Sequence, residues 1–82
     1  MVDKPDPTIV INRIREVLER HGVNLPPSID LDFNMIDYNI ESIVILSTIS
    51  EVEASLNLEF DMAEFERRNF ILTIGNILHC FS

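Results

Sequence analysis

Glycine is scarce, two in 82 residues, which leaves little material for the tight turns of a β-sandwich or barrel. Cysteine is scarcer still. Cys80 stands alone, so no internal disulfide can form, and no zinc-ligand spacing surrounds it. No apolar run approaches the length that spans a bilayer, and no membrane insertion is expected. Basic residues are few, six Lys and Arg against fourteen Asp and Glu. The resulting net charge of −8 would be repelled by nucleic-acid phosphates and by anionic membrane surfaces. It suits a chain that meets basic patches on other proteins, and equally serves to keep a small protein in solution. The opening Met1-Val2-Asp3-Lys4-Pro5-Asp6 has neither the basic nor the apolar region of a signal peptide, so a cytoplasmic location is expected. Nucleophile–base–acid sets, metal-ligand clusters and phosphate-binding glycine loops are missing as well, and no enzymatic activity is expected.

What is present points to helices. An apolar fraction of 46% suits a globular chain, and 1–82 fits one domain, since a smaller piece could not hold a core. Asp6-Pro7 reads as an N-cap followed by a proline at the first helical position. Val10, Ile11, Ile14, Val17 and Leu18 then form an apolar stripe, with Arg13, Arg15, Glu16, Glu19 and Arg20 opposite. Gly22 supplies a left-handed residue to end this helix, which is predicted over 7–21.

Periodicity fades over 23–40. Pro26-Pro27 forbids helix locally, and Leu25, Ile29, Leu31, Phe33 and Ile36 read as anchors pinning a long loop, with a turn of helix near 31–35. A connection of that length in a small domain is commonly functional. A second helix is predicted over 41–56, its inward stripe Ile45, Ile49, Val52 and Leu56. Ile43 and Leu46 fall off that stripe and face elsewhere, unless a wide apolar face buries them too. Asp61 can cap a short helix over 62–67. Asn69 can cap a last one over 70–81, offering Phe70, Ile71, Ile74, Ile77, Leu78 and Phe81 to the core. Gly75 either weakens that helix, by about 1 kcal/mol relative to Ala, or admits a close neighbour. Glu51, Glu53, Glu64 and Glu66 read as solvated helix surface. Cys80 reads as a small buried or half-buried residue.

The loop and the second helix meet at Asp37-Tyr38-Asn39-Ile40-Glu41-Ser42-Ile43. A serine at a helix start is favoured as a cap. The stretch resembles the Asp-Leu-Gly-x-Asp-Ser-Leu motif of acyl carrier proteins. Asp37 matches the first Asp, Asn39 the Gly, Glu41 the second Asp, Ser42 the Ser and Ile43 the Leu. The resemblance covers nearly the whole chain: Glu51-Val52-Glu53-Ala54-Ser55-Leu56-Asn57-Leu58-Glu59-Phe60 is similar to the end of the family's second helix. Phe70-Ile71-Leu72-Thr73-Ile74 sits where its last helix begins. Asn39 departs from glycine, yet asparagine tolerates a left-handed turn. Val44, Ser47 and Ala54 stand at positions often acidic in the family, so a partner gripping the second helix through salt bridges should bind less well.

The resemblance implies an all-α, four-helix fold with a long loop between helices one and two and a short third helix. It implies a 4′-phosphopantetheine arm on Ser42, taken from coenzyme A by a phosphopantetheinyl transferase, and acyl groups held on that arm as thioesters. The partners would be acyl-loading and acyl-processing enzymes of fatty acid, polyketide or related biosynthesis, with basic or apolar docking patches, and the carrier would act as a monomer. Ile43, Leu46 and Ser50 form the face expected to dock partners, with Glu41 and Glu53 adding charge. Core residues such as Ile45, Ile49 and Phe70 would shelter a short acyl chain.

Two other readings compete. Asp30, Asp32, Asn34 and Glu41 occupy positions one, three, five and twelve of an EF-hand calcium loop, with Ile36 and Tyr38 at seven and nine. Met35 stands where that loop needs glycine, Asp37 where it needs an apolar residue, and Pro26-Pro27 leaves no room for a preceding helix. The other competitor is an unmodified acidic helical module that binds a basic partner.

Overall fold

The computed structural model describes residues 5–82; residues 1–4, on which the expectation about a signal sequence partly rests, lie outside them. Asp6, held extended, accepts the Thr8 N–H at 2.9 Å, and Pro7 fills the first helical position of α1, Pro7–Arg20. Gly22 follows at φ +85°, a left-handed conformation that an L side chain rarely adopts, and turns the chain out of α1. Arg15 reaches across to the Pro26 carbonyl at 2.8 Å, so the proline pair is tied to the helix it follows.

The loop then closes on a 3₁₀ turn, Met35–Tyr38, where Asn34 Oδ1 accepts the Ile36 N–H at 3.0 Å. Asn39 ends that turn in the left-handed region at φ 55°. The helix α2 spans Ser42–Leu56 and stops at a second left-handed asparagine, Asn57. Asp61 caps α3, Met62–Arg67, by accepting the Glu64 N–H, and Thr73 caps α4, Ile74–Cys80, by accepting the Asn76 N–H at 3.2 Å. Four α-helices and no strands are present among the described residues, with isolated antiparallel bridges at Asn34–Thr73 and Phe60–Phe81.

Packing follows the apolar stripes. Val10, Ile14 and Leu18 of α1 meet Ile45, Ile49 and Val52 of α2, and Phe65, Ile74, Ile77, Cys80 and Phe81 complete one core. Thr48 is the buried polar side chain among the described residues, and its hydroxyl donates to the Val44 carbonyl at 2.7 Å. Phe60 packs edge-on against Phe65 and Phe81 with ring centres 5.3 and 5.0 Å away, a favourable geometry for paired aromatics.

Several expectations need correction. The last helix begins four residues later than periodicity suggests, because Asn69 and Phe70 are both left-handed, at φ 63° and 54°. Asn69 is therefore no cap. The Phe70 N–H donates back to the Phe65 carbonyl, closing α3, and the chain then runs extended into Thr73. Phe70 and Ile71 are about half exposed and are not core. The short helical turn lies at Met35–Tyr38 and not at 31–35, since Asn34 is the residue that caps it. Leu31 and Ile36 are exposed, while Met35 and Ile40 are buried beside Phe33 as the loop's true anchors. At Gly75 the alternative of close approach holds: its N–H donates to the Leu31 carbonyl at 2.9 Å, and an added Cβ would lie 3.2 Å from that oxygen.

Ile74 is fully buried, so Ile74→Ala should lower stability by about 2–5 kcal/mol. Ile43→Ala, on the exposed side of α2, should stay within about 0.5 kcal/mol. Urea unfolding of the two variants checks both, and equal losses would contradict this division between core and surface.

Candidate functional site

The turn at Asn39 and the burial of Ile40 determine where α2 begins. With Ile40 drawn into the core, the next two residues are left outside, and Glu41 and Ser42 are both exposed. Glu41, at φ −65° and ψ 144°, is the N-cap, and Ser42 is the first helical residue. The serine is therefore not the cap of its helix. Glu41 makes no side-chain cap hydrogen bond either, whereas Asp6, Asp61 and Thr73 each cap their own helices. The first N–H groups of α2 thus have no side-chain acceptor. Together with the dipole of a 15-residue helix, they favour a negative group beside Ser42.

Two hollows lie along α2, one lined by Ser42 and one starting at Ile43. A groove of about 520 Å³ runs along α2, lined by His21, Ile43, Leu46, Ser47, Ser50 and Glu51. Ile43 is 68% exposed and Leu46 52%, so the apolar face of α2 does not bury them. A second, apolar cleft of about 170 Å³ is lined by Ser42, Ile45, Leu46, Ile49, Phe65, Phe70 and Leu72. That volume is close to the ~150 Å³ of an apolar cavity that takes up benzene. Phe70 stacks edge-on against Phe65 at 5.5 Å and forms the cleft's outer wall, so it lines the cleft without belonging to the core.

The expected docking residues separate here. Ile43, Leu46 and Ser50 share the groove, and Glu41 keeps an exposed carboxylate at its upstream end. Glu53 does not join them as free charge. Its Oε2 accepts the Phe60 N–H at 2.9 Å, fixing the turn that follows α2. Glu51, read from the sequence as solvated surface, instead binds α1 to α2. Its Oε1 accepts from Arg20 at 3.1 Å and its Oε2 lies 3.0 Å from His21 Nε2. The residues are some thirty positions apart, and no sequence pattern announces the contact. Glu64 is likewise engaged, with Arg67 and Arg68, and only Glu66 of the four remains plain exposed surface.

The hydrogen bond from His21 is the main cause holding the Glu51 carboxyl below its ordinary range. The nearby charge of Arg20 assists, and partial desolvation acts the other way. The His21 ring faces Glu51.

Two of the four calcium ligands named from the sequence turn to local backbone: Asp30 Oδ1 accepts the Asp32 N–H, and Asn34 Oδ1 accepts the Ile36 N–H. Among the described residues no group of three or more His, Cys, Asp or Glu is placed to hold a metal ion. No helix is long and apolar enough to cross a membrane among those residues. No family model, curated protein or solved structure matches the chain.

Because the Glu51 pKa is lowered by folding, its stabilising contribution is present at neutral pH and is lost as pH falls through that lowered value. In an NMR pH titration the Glu51 carboxyl should therefore titrate below the ordinary glutamate range. His21→Ala should bring it back up toward that range. A midpoint indifferent to His21→Ala would contradict the assigned cause.

Proposed function

We propose that this chain is an acyl carrier protein in which Ser42 bears a 4′-phosphopantetheine arm. The observation that carries the reading is one exposed hydroxyl at the first residue of an α-helix that no side chain caps, at the edge of an apolar cleft. Four helices, the long loop after α1 and the short α3 fit the fold that the resemblance implies.

The residues present suit the group. The hydroxyl is accessible to a separate transferase, and the unclaimed N–H groups and dipole of α2 favour the phosphodiester that would stand there. In the attachment step the Ser42 oxygen forms a bond to the β-phosphorus of coenzyme A as the pyrophosphate link breaks. Adenosine 3′,5′-bisphosphate leaves, and the hydroxyl proton passes to a base on the transferase. When bound, the arm supplies a thiol that holds acyl groups as thioesters for loading and processing enzymes of fatty acid, polyketide or related biosynthesis.

The chain's own part is to position the arm, to present a docking face and to offer apolar shelter. Cys80 is buried in the core and takes no part. The cleft formed by Ile45, Ile49 and Phe70 has room for a short aliphatic chain only, given its volume of about 170 Å³.

Incubation with coenzyme A, magnesium and a broad-specificity phosphopantetheinyl transferase, followed by intact-mass measurement, tests the proposal. The parent chain should gain one phosphopantetheine and Ser42→Ala none. Failure to gain mass with several transferases would overturn it in favour of an unmodified interaction module.

A further inference from the structure

A third hollow, of about 390 Å³, opens where the segment after α1 meets the head of α2. Val23, Asn24, Tyr38, Asn39, Glu41 and Val44 are among its lining, and Glu41 directly precedes Ser42. The fold fixes its walls. The Val23 N–H donates to the Leu18 carbonyl at 3.1 Å, which holds one wall against the end of α1. Tyr38 stacks on the buried Phe33 with ring centres 4.5 Å apart, and Asn39 is set in its left-handed turn. Among the described residues, no hydrogen bond or ion pair engages the side-chain polar groups of Asn24, Tyr38, Asn39 or Glu41. Glycine would suit the turn at position 39 with less strain, yet this chain places a carboxamide there.

The chemistry of the lining selects its ligand. No Lys or Arg lines the hollow among the described residues, and Glu41 is an unpaired carboxylate, so an anion is disfavoured. A neutral chain bearing amides fits, since carboxamides and a phenol both donate and accept, and a carboxylate accepts an N–H. Small-molecule sites span roughly 300–1,000 Å³, a range that admits this hollow and excludes the 170 Å³ cleft. We infer that Asn24, Tyr38 and Asn39 hold the amides of the pantetheine arm in this hollow, so that the unloaded arm rests on the loop side of α2 and not in the apolar cleft. The inference rests on the carrier reading of Ser42. Val23 and Val44, both partly buried, offer apolar contact to the arm's paired methyl groups. Hydrogen bonds made at a site open to water are weak, which lets these side chains release the arm to an acyl-loading enzyme.

The test loads the protein from coenzyme A isotopically labelled in its pantetheine portion and reads the product by NMR. Nuclear Overhauser contacts should join the arm to Val23, Asn24 and the Tyr38 ring. Val23 and Asn24 are far from Ser42 in sequence, so attachment alone does not produce them. The arm's amide protons should exchange with solvent about fivefold more slowly than those of free pantetheine, the scale of one net hydrogen bond. Asn24→Ala/Asn39→Gly removes both carboxamides while keeping at position 39 a residue that suits φ 55°, and should restore the free rate. Contacts confined to cleft residues such as Ile49 and Phe70 overturn the inference. So does an arm that exchanges as free pantetheine does, and in both cases the gain in mass still upholds the carrier reading. If the parent gains no mass at all, the carrier reading falls and takes this inference with it.

Discussion

The long loop after α1 is stitched to the head of α4 by three backbone hydrogen bonds, one of them from the Gly75 N–H to the Leu31 carbonyl, and the position of the site depends on that stitch. The Met35 N–H donates to the Leu72 carbonyl at 3.1 Å and the Ile74 N–H to the Phe33 carbonyl at 3.0 Å, on either side of the Asn34–Thr73 bridge. Each such bond contributes only about 0.5–1.5 kcal/mol net, but leaving either end buried and unpaired would cost about 1–3 kcal/mol. With the bridge made, Phe33 and Met35 enter the core, Asn34 is free to cap the 3₁₀ turn, and Thr73 is set to cap α4. The left-handed turn at Asn39 then delivers Ile40 to the core and leaves Ser42 outside, at the start of α2.

This order of dependence explains what the sequence disclosed. Helix α1 was legible because its signals are local: Asp6-Pro7 at one end, Gly22 past the other, and a stripe at helical spacing between. The exposure of Ile43 and Leu46 was legible for the same reason, since both fall off the stripe that buries Ile45, Ile49 and Val52. Asn39 could be read as a left-handed position from its residue type and its place before Ser42. The start of α4 was not legible. Phe70, Ile74, Ile77 and Phe81 keep helical spacing, yet pairing with the distant loop and the left-handed Asn69 and Phe70 decide the backbone there. Nor could the sequence show what Glu51 and Glu53 do, because their partners are a helix away or are backbone.

The site that results divides its labour. Charge is kept at the margins: Glu41 at the head of α2, and an Arg20–His21–Glu51 cluster that joins α1 to α2 through exposed ion pairs. Exposed pairs of this kind contribute little to stability. Beside them, Ser42 lines the apolar cleft of Ile45, Ile49, Phe65, Phe70 and Leu72, and the groove along α2 begins at the next residue, Ile43. Phe70 borders the cleft in a left-handed conformation that is costly for a bulky residue, and strain of that kind tends to collect at functional sites.

The most direct measurement is tandem mass spectrometry of the protein isolated from the cells that make it, read at the peptide that contains Ser42. Phosphopantetheine, free or acylated, should be found on the Ser42 oxygen. A Ser42 that carries nothing throughout the isolated population would contradict the assignment of this serine as the carrier site.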